Sequence, residues 1–232
     1  MNPQFVRVIY YPESDGRPIG ESDLHIHWTI QIRNMLKRRY RGQRVYVASN
    51  LLVYYEEGFP QYVVVPDVFV VKDSDPGFRR VYKVWEEGPP HFVLEVTSAS
   101  TRREDEERKP NKYMQFGVRE YFLYDPSGEY LRPALKGCRL AGDDYVPIES
   151  DKESRLSSEE LGIWLRVEDS SLVLYDSATG ERLLTADEAE MAKEIALDAA
   201  VAEAEAAKTA AKEAEKENRR LQEELRRLRN SE

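Results

Sequence analysis

Two apolar runs, VVVPDVFVV at residues 63–71 and FVLEV at 92–96, each contain one carboxylate, Asp67 in the first and Glu95 in the second. Runs so rich in Val, Phe and Leu read as strands packed on both faces. A carboxylate inside such a strand is costly to desolvate unless a cation or hydrogen-bond donors meet it. Two readings follow. Either each strand has one polar face and its acid meets water or an arginine, or the two acids converge on neighbouring strands and hold a divalent ion, as paired carboxylates with room for water hold Mg²⁺.

The elements around these runs set the fold class. Residues 22–40 start with a capping Ser22 and place Leu24, Trp28, Ile32, Met35 and Leu36 along one helical face. Residues 44–55, 61–71, 91–97 and 120–124 read as strands, and the charged stretch 102–116 reads as a helix before the last of them. Helix, three strands, helix, strand predicts an α/β (α+β) protein with a mixed central sheet and a crossover helix. Residues 129–185 read as further strands and turns around a core segment at 161–165. Composition then changes. From Ala186 onward there is no Gly, Pro or aromatic residue, so the expected domains are 1–185 and a long helix over 186–232. Leu221, Leu225 and Leu228 continue a seam through Ala200, Ala204, Ala207, Ala211, Ala214 and Asn218, the pattern of an alanine-rich coiled coil, with a solvated single helix as the alternative.

Several function classes drop out. One cysteine, Cys138, and three histidines leave no disulfide framework and little for structural zinc. No apolar run approaches the roughly 18–20 residues of a membrane span, and the first residues lack the apolar stretch of a signal peptide, so a cytoplasmic protein is expected. A net charge of −9 argues against nonspecific coating of nucleic acid and requires a local basic patch for any such role. One exists: residues 24–55 hold no Asp or Glu but carry Arg33, Lys37, Arg38, Arg39, Arg41 and Arg44, a set that Arg79, Arg80, Lys83, Arg102 and Arg103 could extend. Within the second helix, Asp105, Lys109 and Tyr113 are spaced by four and share one face. A lysine there could reach the two acids, orient or deprotonate a water, or offset charge at phosphorus.

The stretch VPDVFVV, the segment from VYKVWEEG to EYFLYDP, and the later LGIWLRV and TGERLLT resemble the Uma2 family, also called DUF820, of the restriction-endonuclease-like PD-(D/E)XK nucleases, over roughly residues 20–190. The resemblance implies that Pro66 and Asp67 are the PD element and Glu95 the second acid. Thr97 then stands where the short motif has its lysine, and Lys109 matches the family's helix lysine. Pro110 disturbs that helix, so either regular helix starts near it or Lys112 takes the role. Asp125 reads as a turn former. The expected function is a metal-dependent endonuclease hydrolysing phosphodiester bonds in DNA, with Mg²⁺ or Mn²⁺ on Asp67 and Glu95 and Lys109 assisting. Glu21, His25, Asp105 and Lys112 are possible accessories, and the coiled coil is expected to make a homodimer. A non-catalytic scaffold on a nuclease-like core, and an RNA- or nucleotide-directed hydrolase, stay open as alternatives.

Overall fold

The computed structural model describes residues 9–14 and 21–230. Helix α1 (Asp23–Arg39) is followed by strands β1 (Val45–Ala48), β2 (Val53–Tyr54), β3 (Val63–Val64), β4 (Val68–Lys72) and β5 (Tyr82–Lys83), the single turn α2 (Val84–Glu87) and strand β6 (Phe92–Val96). A π-helical turn over Glu104–Arg108 runs into α3 (Lys109–Gln115), and β7 (Glu120–Tyr124) completes the part that carries the acids. Strands β8 (Leu135–Ala141), β9 (Asp144–Pro147), β10 (Leu156–Ser158), β11 (Ile163–Glu168) and β12 (Ser171–Asp176) lead to α4 (Ala186–Arg229). Residues 1–185 form one compact unit and 186–232 a second. No helix among the described residues is long and apolar enough to cross a membrane.

The main sheet is mixed, in the order β1-β4-β6-β7-β8-β9, with β6 and β7 parallel and the other pairs antiparallel. Side chains alternate along each strand, so Val68 and Val70 of β4 enter the core shared with Trp28, Ile32, Met35 and Leu36 of α1, while Phe69 and Val71 enter the opposite core with Tyr113 and Tyr121. Phe92, Leu94 and Val96 of β6 belong to the α1 side, which leaves Glu95 facing the α3 side. The first core also takes in Leu156, Ile163, Leu165, Leu172 and Leu174 of the small antiparallel sheet β10-β11-β12.

Three sequence expectations are adjusted. The stretch 44–55 is two strands, because Asn50 turns the chain with φ 50° and donates its N–H to the Pro66 carbonyl at 3.0 Å. The stretch 61–71 is likewise split at Pro66 and Asp67, where proline has no N–H to give a ladder. Leu24, expected on the packed face of α1, is 45% exposed, and the apolar packing starts a turn later at Trp28.

Candidate active site

Antiparallel pairing of β4 with β6 sets Val68 opposite Leu94, so the residue before β4 and the next residue of β6, Asp67 and Glu95, meet at one end of the sheet. The contact is direct: the Asp67 N–H donates to Glu95 Oε2 at 3.2 Å, and the Val96 N–H donates to Asp67 Oδ2 at 2.7 Å. Glu95 is fully buried and Asp67 is nearly so. Two acids that look like strand interruptions in the sequence are thus one constellation.

Lys109 supplies the charge that this burial demands. Its Nζ lies 2.9 Å from Glu95 Oε2 and 2.8 Å from Asp105 Oδ1, and Asp105 is itself buried. Tyr113, one turn beyond Lys109, donates its hydroxyl to Glu95 Oε1 at 2.5 Å. Burial acts against the ammonium, but Glu95, Asp105 and Asp67 outweigh it and hold the Lys109 pKa above its ordinary value. Burial pushes the Glu95 carboxyl up, with Lys109 pulling it back, and burial raises Asp105 against the same lysine.

The helix delivers Lys109 through an irregular turn. Pro110 sits in the first turn of α3 and has no N–H for an α-helical bond, and the Lys109 N–H reaches back to the Glu104 carbonyl in the wider π pattern. The expected helix over 102–116 is therefore present with a π turn where proline intervenes. It keeps Asp105 and Lys109 four apart on one face, and the Tyr121 hydroxyl fixes the Asp105 carbonyl at 2.8 Å. Lys112 points elsewhere: it is partly exposed and only 4.0 Å from Glu104.

A second group approaches Asp67 from α1. Ser22 caps the helix by accepting the His25 N–H at 3.2 Å, and this places His25 one turn in, buried, with Nε2 3.0 Å from Asp67 Oδ2 and Nδ1 paired with Glu21. Burial would lower the His25 pKa, but hydrogen bonds to Asp67 and Glu21 raise it to about 10, and the same His25 bond overcomes burial to lower that of Asp67. One ligand atom each from Glu21, His25 and Asp67 lies within 4.8 Å of the others, the geometry of a candidate cation site. Glu95 is not part of that set: one of its oxygens is engaged by Tyr113, the other by Lys109 and the Asp67 N–H.

These groups open onto a cavity of about 740 Å³ lined by Glu21, His25, Asp67 and Lys109 and closed on one side by residues 98–101. Thr97, where the short motif would have its lysine, is buried beside it, with an Oγ1 that finds no hydrogen-bond partner among the described residues. Residues 98–101 and Tyr130 were not singled out from the sequence; the small polar run SAST between a strand end and a helix start was the available signal.

The expected basic patch divides. Arg38 donates to the carbonyls of Leu184 at 2.5 Å and Thr185 at 2.9 Å. Arg39 pairs with Asp176 and donates to the carbonyls of Leu161 at 3.3 Å and Gly162 at 3.1 Å. Arg39 ties α1 to the small sheet and Arg38 ties it to the segment after that sheet, so both side chains are engaged within the fold. With Arg33, Lys37 and Arg41 they lie toward the far end of α1, Arg38 being about 20 Å from His25 at 1.5 Å per residue. Arg102 and Arg103 are exposed next to the cavity wall, paired at 3.0 Å with Glu106 and Glu107. Arg79 is held by Glu87 and lies 3.8 Å over the Tyr46 ring. Asp125 is a turn former: its carboxylate accepts the N–H groups of Ser127, Tyr130 and Leu131 at 2.9, 2.6 and 2.9 Å and the Ser127 hydroxyl at 2.7 Å.

A mixed sheet with buried acids and a helix-borne lysine at one end defines a nuclease-like α+β protein. Residues 16–168 match the Uma2 family, described as "Putative restriction endonuclease", and the chain belongs to that family. Among solved structures, a crystal structure of a "putative nuclease belonging to DUF820" from Anabaena variabilis aligns with 10% identity and a TM-score of 0.47, over 62% of this chain and 76% of that one. No curated protein matches the chain.

Proposed function

We propose that this protein is a metal-dependent endonuclease that hydrolyses phosphodiester bonds in DNA in the cytoplasm. The observation that carries the reading is the convergence, on one cavity, of a three-ligand cation site at Asp67 and an ammonium held by Glu95. Two carboxylates and one imidazole, which gives up its extra proton when an ion binds, fit a small divalent ion, and the imidazole favours Mn²⁺ over the purely oxygen-seeking Mg²⁺. When bound, such an ion polarises a phosphoryl oxygen and acidifies water. Asp67 is oriented for the ion by the Val96 N–H, and His25 of α1 and Glu21, just before that helix, converge beside it. Glu95 faces the same place from within as the second acid and anchors Lys109.

Lys109 acts as a cation. Its raised pKa keeps it an ammonium at neutral pH, so it offsets charge developing on phosphorus or donates a proton, and it does not serve as the base. The exposed Arg102 and Arg103 are placed to hold phosphates beside the cavity. Residues 186–232 join two copies through the Ala and Leu seam, a reading supported by a 44-residue helix with no buried side chain.

The test is cleavage of supercoiled DNA by the full-length protein with Mn²⁺, with Mg²⁺ and with chelator. Cutting that needs the ion and vanishes in Asp67→Ala is the expected result. DNA left intact under all three conditions, with RNA cleaved instead, would move the substrate to RNA; no cleavage of either would return the core to a scaffold.

A further inference from the structure

We propose that this protein takes a single divalent ion per chain because Lys109 is the built-in occupant of the position a second ion would fill. The inference rests on the metal-dependent reading above and concerns how many ions that site admits. Sites that hydrolyse phosphodiesters with two ions keep them roughly 3.5–4 Å apart and bridge them with shared carboxylates. Here Glu95, beside Asp67, is already engaged by the Lys109 ammonium at 2.9 Å.

Glu95 and Asp105 come from β6 and the π turn, are 0% and 1% exposed, and face each other across the Lys109 Nζ at 2.9 and 2.8 Å. Two carboxylates so enclosed stay ionised together only with a cation between them. The ammonium occupies that place, and it does so on Glu95 Oε2, the oxygen that also receives the Asp67 N–H at 3.2 Å. The candidate ion site takes Asp67 with Glu21 and His25. The two neighbouring acids thus serve different cations, Asp67 an ion at the cavity and Glu95 a side chain.

A second divalent ion would have to evict the ammonium from both of its carboxylates. Tyr113 on Glu95 Oε1 and the π turn around Asp105 hold those carboxylates in place for the lysine, so eviction has no compensating rearrangement at hand.

The test is Mn²⁺ titration calorimetry on the full-length protein and on Lys109→Met, which keeps the side chain's bulk and removes its charge. Wild type should bind one ion per chain, Lys109→Met two, and Lys109→Met with Asp105→Asn one again. Two ions in wild type, or one ion in a folded Lys109→Met, would overturn the inference while leaving metal dependence intact. No Mn²⁺ bound by wild type would instead remove the metal-dependent reading and this inference with it. Electron paramagnetic resonance of Mn²⁺-saturated wild type decides the matter even if Lys109→Met fails to fold: isolated-ion spectra are expected, and an exchange-coupled pair would refute the single-ion site.

Discussion

At the scale of single residues, burial sorts the acids into roles that sequence alone left together. Asp67 meets the cavity and His25, whereas Glu95 is enclosed by Tyr113 and Lys109. Asp67→Ala is therefore expected to abolish Mn²⁺ binding in calorimetry with the fold retained by circular dichroism. Lys109→Ala should lower cleavage by about 10²- to 10⁴-fold with the first ion still bound, the range for losing a positioned electrostatic or acid group. Lys112→Ala should leave turnover nearly unchanged, and a larger defect from Lys112 than from Lys109 would transfer the role. Asp125 makes a pH-dependent contribution. Burial would raise its pKa, but the Ser127 hydroxyl and three backbone N–H groups lower it, so its stabilisation is present above the unfolded value near 4 and lost as pH falls through the folded one. Asp125→Asn should cost about 2–3 kcal/mol in urea unfolding at pH 7, with a smaller difference from wild type at pH 3. The two strand acids and the lysine were legible because a charge in an apolar run, and a charge one helical turn from another, are anomalies in one dimension. Glu21 and His25 were legible only as accessories, since the Asp67 carboxylate that His25 bonds is 42 positions away.

Among the elements, α1 departs furthest from its sequence reading. Its last turn carries Lys37, Arg38 and Arg39, and a run of bases with no acids looked like a surface for phosphate. The structure uses two of them on backbone carbonyls and on Asp176. Arg39→Ala should therefore lower the melting temperature while leaving DNA affinity at fixed salt almost unchanged, and Arg102→Ala with Arg103→Ala should weaken DNA binding and flatten its salt dependence without moving the melting temperature. The strands were legible in place but not in extent, since Asn50 and Pro66 interrupt runs whose apolar character continues through the break. Gly137 shows a further limit of pattern reading. A Cβ there would come within 2.6 Å of the Phe122 ring, a close approach that no hydrophobic periodicity announces.

For the whole molecule, the sharpest boundary in the sequence is also the boundary between compact units, because glycine, proline and aromatic residues are what a folded core of turns and strands needs and a lone helix does not. Removing residues 190–232 is expected to leave the first unit folded with its ion site and to convert a dimer into monomers by light scattering at micromolar concentration. A full-length chain already monomeric would leave the tail as a solvated helix. Leu221, Leu225 and Leu228 are 47%, 61% and 64% exposed, which is the surface such a seam would cover. Trp28 offers a different use of the architecture. It lies three residues after His25, with its ring edge-on to Tyr124 at 5.3 Å, and the chain's other two indoles, Trp85 and Trp164, are covered instead by Tyr11 and Arg155. Replacing Trp85 and Trp164 with phenylalanine would leave one indole on the helix that carries His25, so an ion taken up there is expected to register in its emission, an optical gauge readable without label or substrate.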